Sequence, residues 1–222
     1  MSSKFIIVEG PDFCGKSTQL EMLELNTWYF NQRIFFTREP GSRLPESSLE
    51  CEEIREEILH GNGLSLMDEA NLFARSRYYH TKEIVKLLTE DDNTVVISDR
   101  YIISSYAYQG YAQGLGKDII DELNEPSLKL LRDNDIEIHC IKFNISPETW
   151  EERKRARLQI EELDLIEQKD ISKEVLDFFV TPKIFGIYTN DLKMEVHNIN
   201  ADRNIMAVYI DFLEIIKDIV NN

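Results

Sequence analysis

The stretch at residues 5–20, FIIVEGPDFCGKSTQL, constrains the fold more than any other part of the chain. FIIVE is a β-branched and aromatic run suited to a buried strand. GPDFCGKS then fits GxxxxGK[ST], and the residues after it take up the apolar rhythm of a helix. A strand feeding a helix through a Gly-bracketed loop is a parallel βα unit, with the loop at the carboxyl end of the strand. The glycines let backbone N–H groups wrap a phosphate chain. The expected contact set runs through Gly10, Pro11, Asp12, Phe13, Cys14, Gly15, Lys16, Ser17 and Thr18. Lys16 reaches the β and γ oxygens of a bound ATP, and Ser17 offers a hydroxyl to Mg²⁺. Cys14 contributes its backbone, and Phe13 covers the loop.

The rest of the chain continues this pattern. Runs rich in Ile, Val or Phe at 5–9, 33–37, 94–99, 137–143 and 195–199 alternate with longer helical segments. They predict an α/β fold: a five-stranded parallel sheet with helices on both faces and ligands at the carboxyl strand ends. With 222 residues, 42% of them hydrophobic, the chain can bury a full core, and one domain over 1–222 is expected. Lys and Arg number 25 against 41 Asp and Glu, a net charge of −16. Such a surface repels nucleic acid and anionic membranes, so a polyanionic ligand needs a locally basic cleft. The three cysteines, Cys14, Cys51 and Cys140, have neither disulfide nor zinc spacing. No secretory leader or spanning segment is evident, and a reducing, cytoplasmic setting is expected.

A phosphate loop alone fits GTPases, motors, regulatory ATPases and small-molecule kinases. A GTPase would carry an Asn-Lys guanine-reading segment, and no Asn-Lys pair occurs in the chain. Two strand ends instead carry arginine: Arg38 in TREPG and Arg100 in SDRY. Each by itself fits a solvated rim charge. Together, at equivalent strand ends, they favour an acceptor with its own phosphate, because guanidinium groups bind phosphate through paired donors. Such an acceptor is already anionic and needs charge neutralisation and in-line alignment more than a general base. Asp99 either reaches Mg²⁺, directly or through water, or only fixes Arg100.

The segment SLMDEANLFARSRYYHTKEIVKLL reads as a helix capped by Ser65, with Asp68 and Glu69 in its first turn. Phe73 and Arg77 stand four residues apart and share a stripe. They fit either a planar base stacked on the ring with a carbonyl facing the guanidinium, or a core aromatic beside a surface charge.

EGPDFCGKST, TREPG, LFARSR, DRYIISSYAYQG and a late Arg-rich segment together resemble the thymidylate kinase family, in its order and near its spacing. The family phosphorylates dTMP to dTDP with MgATP and is commonly homodimeric. By resemblance, Asp12 holds the 3′-hydroxyl of the acceptor sugar, and Arg38 and Arg100 bind its phosphate. Phe73 stacks on thymine, Arg77 reads a base carbonyl, Ser105 and Gln109 lie near the base, and Tyr108 packs below C2′. Lys16, Asp99 and Arg100 form the catalytic core with Arg153, Arg155 and Arg157 of the lid, and Ser17 and Asp99 hold the metal. The alternatives are a kinase that also accepts dUMP and a non-catalytic nucleotide-binding regulator.

Two segments depart from the family pattern. The lid, at about 146–169, opens on Ser146 as N-cap and Pro147 at the first helical position. The family supplies a transition-state arginine either from the phosphate loop or from the lid, and because the loop interior PDFC lacks arginine the resemblance implies that the lid provides it. On a helix Arg153 and Arg157 share a face and Arg155 points away. LQIE replaces the usual Arg-Gly stretch, and Leu165 stands where Arg is frequent. The polar segment at 42–53 exceeds the family's usual link and is expected as a surface excursion. Near the C-terminus, residues 200–203 are placed by resemblance beside adenine.

Overall fold

The computed structural model describes residues 3–61, 63–159 and 171–221. In chain order the elements are β1 (Lys4–Glu9), α1 (Lys16–Glu24), β2 (Arg33–Arg38), α2 (Ser48–His60), α3 (Leu66–Glu90) and β3 (Thr94–Asp99). Then come α4 (Ile102–Ser105), a π-helical segment (Tyr106–Ala112), α5 (Lys117–Asp133), β4 (Glu137–Asn144) and α6 (Pro147–Leu158). The chain closes with α7 (Ser172–Val180), α8 (Pro182–Thr189), β5 (Met194–Asn200) and α9 (Ile205–Asn221). All five strands are parallel, in the order β2-β3-β1-β4-β5. The expected strands agree with these to within a residue or so at their ends.

Alternation along the central strands sorts side chains into two cores, as a parallel sheet covered on both faces requires. Phe5, Ile7, Val96 and Cys140 pack under α3, α5 and α7. Ile6, Val8, Ile97, Ile141 and Phe143 pack under α1 and α9, with Trp150 of α6 in the same cluster. The order β3-β1-β4 means that the chain leaves β1 and β3 toward opposite sides of the sheet. That divergence opens a crevice at their carboxyl ends, where the phosphate loop and Arg100 lie.

Local signals explain two helix starts that matter for the site. The Ser65 hydroxyl accepts from the Asp68 N–H at 3.1 Å, and the Asp68 carboxylate accepts back from the Ser65 N–H, a full capping box. The Ser146 hydroxyl accepts from the Thr149 N–H at 3.3 Å, with Pro147 at the first helical position.

The segment at 42–53 is not the surface excursion that its polarity suggests. Ser42, Leu44, Ser47 and Cys51 are buried, and the first turns of α2 lie within it. The Glu83 carboxylate accepts from the N–H of Glu46 and from both the N–H and hydroxyl of Ser47, at 2.6 to 2.8 Å. Ser42, Ser47 and Glu52, which read as solvated, are among the fastenings of the segment. Of the expected lid, 146–159 are described, while 160–169, with Leu165, fall outside the described residues.

Candidate active site

A continuous cleft of about 690 Å³ runs along the carboxyl ends of β1, β2 and β3 and beneath α6. Asp12 through Thr18 line it, together with Arg38, Phe73, Asp99, Arg100, Tyr108, Gln109, Arg153 and Arg157. Gly10 and Pro11 lie behind the loop, where their carbonyls accept from Lys16 Nζ at 2.9 and 3.1 Å. Gly15, with φ of 96°, caps α1 in a left-handed conformation that costs glycine little. The loop is buttressed from the lid side: the Trp150 indole N–H donates to the Asp12 carbonyl at 2.9 Å.

Arg100 is the hub of the bonds beside the phosphate loop. Its φ of 71° is left-handed, a strain of about 1–3 kcal/mol for a residue with a side chain, and the surrounding bonds hold it there. The Arg100 N–H donates to the Val8 carbonyl at 3.0 Å. The guanidinium pairs with the Asp12 carboxylate and donates to the Ser104 hydroxyl at 2.9 Å. Tyr108 donates its hydroxyl to the other Asp12 oxygen. Burial alone would raise the Asp12 carboxyl, but Arg100 and Lys16 outweigh it and hold it below the usual range.

Glu9 lies one step behind this knot, fully buried. It accepts from the Tyr101 N–H at 2.7 Å and from the Ser104 hydroxyl at 2.8 Å, so it anchors the turn that presents Arg100. Burial pushes its carboxyl up to about 7, against the pull of Arg100 and Lys16. Neither Glu9 nor Ser104 is among the sequence-predicted residues. The available signal was an acidic residue closing an apolar strand directly before the phosphate loop.

Arg38 donates to Glu52 at 2.8 Å, while its Nε is buried without a partner among the described residues. Asp99 Oδ1 is likewise buried and unpartnered, as is Gln109 Oε1. Unpartnered buried polar atoms are costly, and these three belong to cleft-lining residues. A cation-seeking carboxylate oxygen at Asp99, with the Ser17 hydroxyl also lining the cleft, is the hard-oxygen donor set that Mg²⁺ takes.

The structure separates the Phe73 and Arg77 pair. Phe73 lines the cleft, whereas Arg77 is buried and does not. Its guanidinium donates to Glu39 at 2.7 Å, to Asn124, to the Tyr101 carbonyl and to the Ser105 hydroxyl at 2.9 Å. Glu39 also faces His80 at 3.0 Å, and His80 meets Thr37 at 2.8 Å. Ser105 sits with Arg77 behind the wall, while Tyr108 and Gln109 reach the cleft from the π-helical segment, whose wider turn is a frequent feature of functional sites.

The lid arginines divide as their spacing implies. Arg153 donates to the Cys14 carbonyl at 2.9 Å and to the Ala201 carbonyl at 2.7 Å, tying lid, phosphate loop and the turn after β5. Arg157 lies over the Phe13 ring at 5.7 Å and lines the cleft. Arg155 is exposed on the other side, 3.9 Å from Glu151. Ala201 and Arg203 border the cleft at its far end.

A phosphate loop and a separate pair of strand-end arginines in one cleft describe a nucleotide phosphotransfer site, and the sequence decides which. The family described as thymidylate kinase matches residues 8–200. The chain belongs to the thymidylate kinase family. The thymidylate kinase of Bacillus mycoides is 31% identical over 98% of this chain and 99% of its own. That of Staphylococcus haemolyticus is 42% identical over 124 residues, 55% of this chain and 57% of its own. A crystal structure of thymidylate kinase from Ehrlichia chaffeensis shares the fold, with a TM-score of 0.64 at 24% identity, covering 98% of this chain and 100% of that one. Among the described residues no helix is long and apolar enough to cross a membrane, and the three cysteines are free and buried.

Proposed function

We infer that this chain transfers the γ-phosphoryl group of ATP to dTMP, giving ADP and dTDP, as a step toward dTTP. Family membership carries the activity. One observation supports the assignment of parts: the phosphate loop and the side chains of Arg38 and Arg100 line a single cleft.

In this reading the loop at residues 10–18 cradles the β-phosphate of ATP, and Lys16 leaves the Gly10 and Pro11 carbonyls for the β and γ oxygens. Ser17 and Asp99 would hold Mg²⁺, which when bound would supply charge to offset the phosphates. Arg38 and Arg100 hold the acceptor phosphate and neutralise it against the incoming γ-phosphoryl group, which needs alignment and charge balance above all. Asp12 exchanges its Tyr108 or Arg100 bond for the 3′-hydroxyl. Phe73 stacks on thymine, and Tyr108 packs beneath C2′. Gln109 lies near the base edge, and Arg77, buried behind the cleft wall, would have to turn from the Ser105 hydroxyl into the cleft to give a donor to a base carbonyl. A donor there favours a keto pyrimidine over cytosine, whose amino group would face it. Arg157 reaches the transition state, Arg153 keeps the lid on the loop, and Arg155 lies outside the chemistry. By the same resemblance the enzyme is a cytoplasmic homodimer, a single domain with its lid at about 146–169.

The test is γ-labelled ATP with dTMP, followed by separation of the products. Label is expected in dTDP. ATP binding with no labelled dTDP would leave the nucleotide-binding regulator, and equal transfer to dUMP would replace strict base selection by a broader pyrimidine preference.

A further inference from the structure

At the opposite end of the sheet from the cleft, β4 and its edge neighbour β5 bring two imidazoles and two carboxylates together. Register pairs His139 with Glu195, and His197 lies two residues further on the same face. His139 Nδ1 is 3.2 Å from His197 Nε2 and 3.5 Å from the Glu195 carboxylate, and His197 Nε2 is 3.8 Å from that same carboxylate. His139 is buried, His197 about a fifth exposed along its side chain, and Glu195 open to solvent.

We propose that His139, Glu195 and His197 form a binding site for a divalent transition metal of the zinc class. Ligand atoms about 2.0–2.1 Å from a tetrahedral ion stand about 3.3–3.5 Å apart, close to the 3.2 and 3.5 Å spacings from His139 Nδ1 to His197 Nε2 and to one Glu195 oxygen, while the 3.8 Å spacing from His197 runs to the other oxygen of that carboxylate. Two nitrogens and one carboxylate oxygen suit zinc or cobalt better than Mg²⁺, which prefers oxygens alone. The surroundings supply the outer support that a metal-bound histidine needs. His139 Nε2 has no aligned hydrogen-bond partner, yet Glu137 Oε1 stands 3.1 Å away. A small rotation of that exposed carboxylate would orient the ring as carboxylates do behind zinc-bound histidines. The fourth position faces solvent on the Glu195 side and would hold water. With both strands contributing ligands, the ion would clasp the sheet edge.

Chelator-treated protein titrated with Co²⁺ in the absence of nucleotide tests the site. The expected result is one equivalent bound with the intense visible bands of a tetrahedral ion, displaced by Zn²⁺. His197→Ala and Glu195→Gln, both remote from the cleft, should weaken binding about tenfold or more while leaving phosphotransfer unchanged. Zn²⁺ should raise the melting midpoint of the wild type and not of the variants. Absence of tetrahedral bands in the wild type, or bands that persist in His197→Ala at unchanged affinity, would overturn the proposal.

Discussion

Replacing Glu9 by Gln isolates one buried charge whose effect can be worked out in advance. The carboxyl ordinarily titrates near 4.5, and in the folded protein burial raises it to about 7. The folded state therefore binds this proton more tightly than the unfolded chain. Its contribution is most favourable below pH 4.5, declines as pH rises between 4.5 and 7, and is constant above. At about 1.4 kcal/mol per pH step, the full cost of ionising Glu9 is about 3 kcal/mol. About 2 kcal/mol of it falls between about pH 5 and pH 7.5. The groups facing Glu9 are Arg100 and Lys16, which favour the charge, and the Cys140 thiol, itself pushed up by burial. All are unchanged by the substitution, so their own titration largely cancels in a difference. Gln keeps an oxygen for the Tyr101 N–H and places an amide beside the Ser104 hydroxyl. Urea unfolding of both proteins without nucleotide, at the two pH values, gives the number. The gap between Glu9→Gln and wild type should move toward the variant by about 2 kcal/mol at the higher pH. A gap that is the same at both pH values would refute the buried, proton-holding carboxyl.

Four further substitutions separate the assigned roles. Arg157→Ala should lower kcat about 10³-fold, while Arg155→Ala leaves it unchanged in steady-state assays. Similar losses for both would remove the distinction between the two faces of α6. Arg38→Ala should raise KM for dTMP roughly 10- to 100-fold with KM for ATP little altered, as expected for losing a charge-assisted phosphate contact. Arg77→Ala should destabilise the fold by about 3–5 kcal/mol in chemical denaturation, because it strands the buried Glu39 carboxylate. It should also weaken dTMP binding far more than ATP binding in calorimetry, and equal losses would exclude contact with the base.

Most of the frame was legible because its signals are local. The phosphate loop carries its own strand and helix, the capping box at Ser65 and the Ser146-Pro147 start declare their helices, and apolar runs mark all five strands. Helical spacing also sorted Arg153 and Arg157 from Arg155. What stayed hidden depends on contacts between distant parts of the chain. Glu52 reads as a surface acid until β2 brings Arg38 to it, and Ser47 as a solvated serine until Glu83 of α3 closes over it. Phe73 and Arg77 share a stripe on paper, yet a helix lying against a wall puts one residue at the cleft and the next turn inside the protein. The wider turn at Tyr106–Ala112, which helps bring Tyr108 and Gln109 to the cleft, has no periodic signature in seven residues.

The central claim is that the cleft holds a second phosphate besides those of ATP, and the most direct measurement compares dTMP with thymidine as acceptor under saturating MgATP. The account predicts rapid ADP release and dTDP with dTMP, nothing comparable with thymidine, and a preference reduced roughly 10- to 100-fold when Arg38 is replaced by Ala. Phosphorylation of thymidine at a rate close to that of dTMP would mean that Arg38 and Arg100 do not bind an acceptor phosphate, and would contradict the account at its centre.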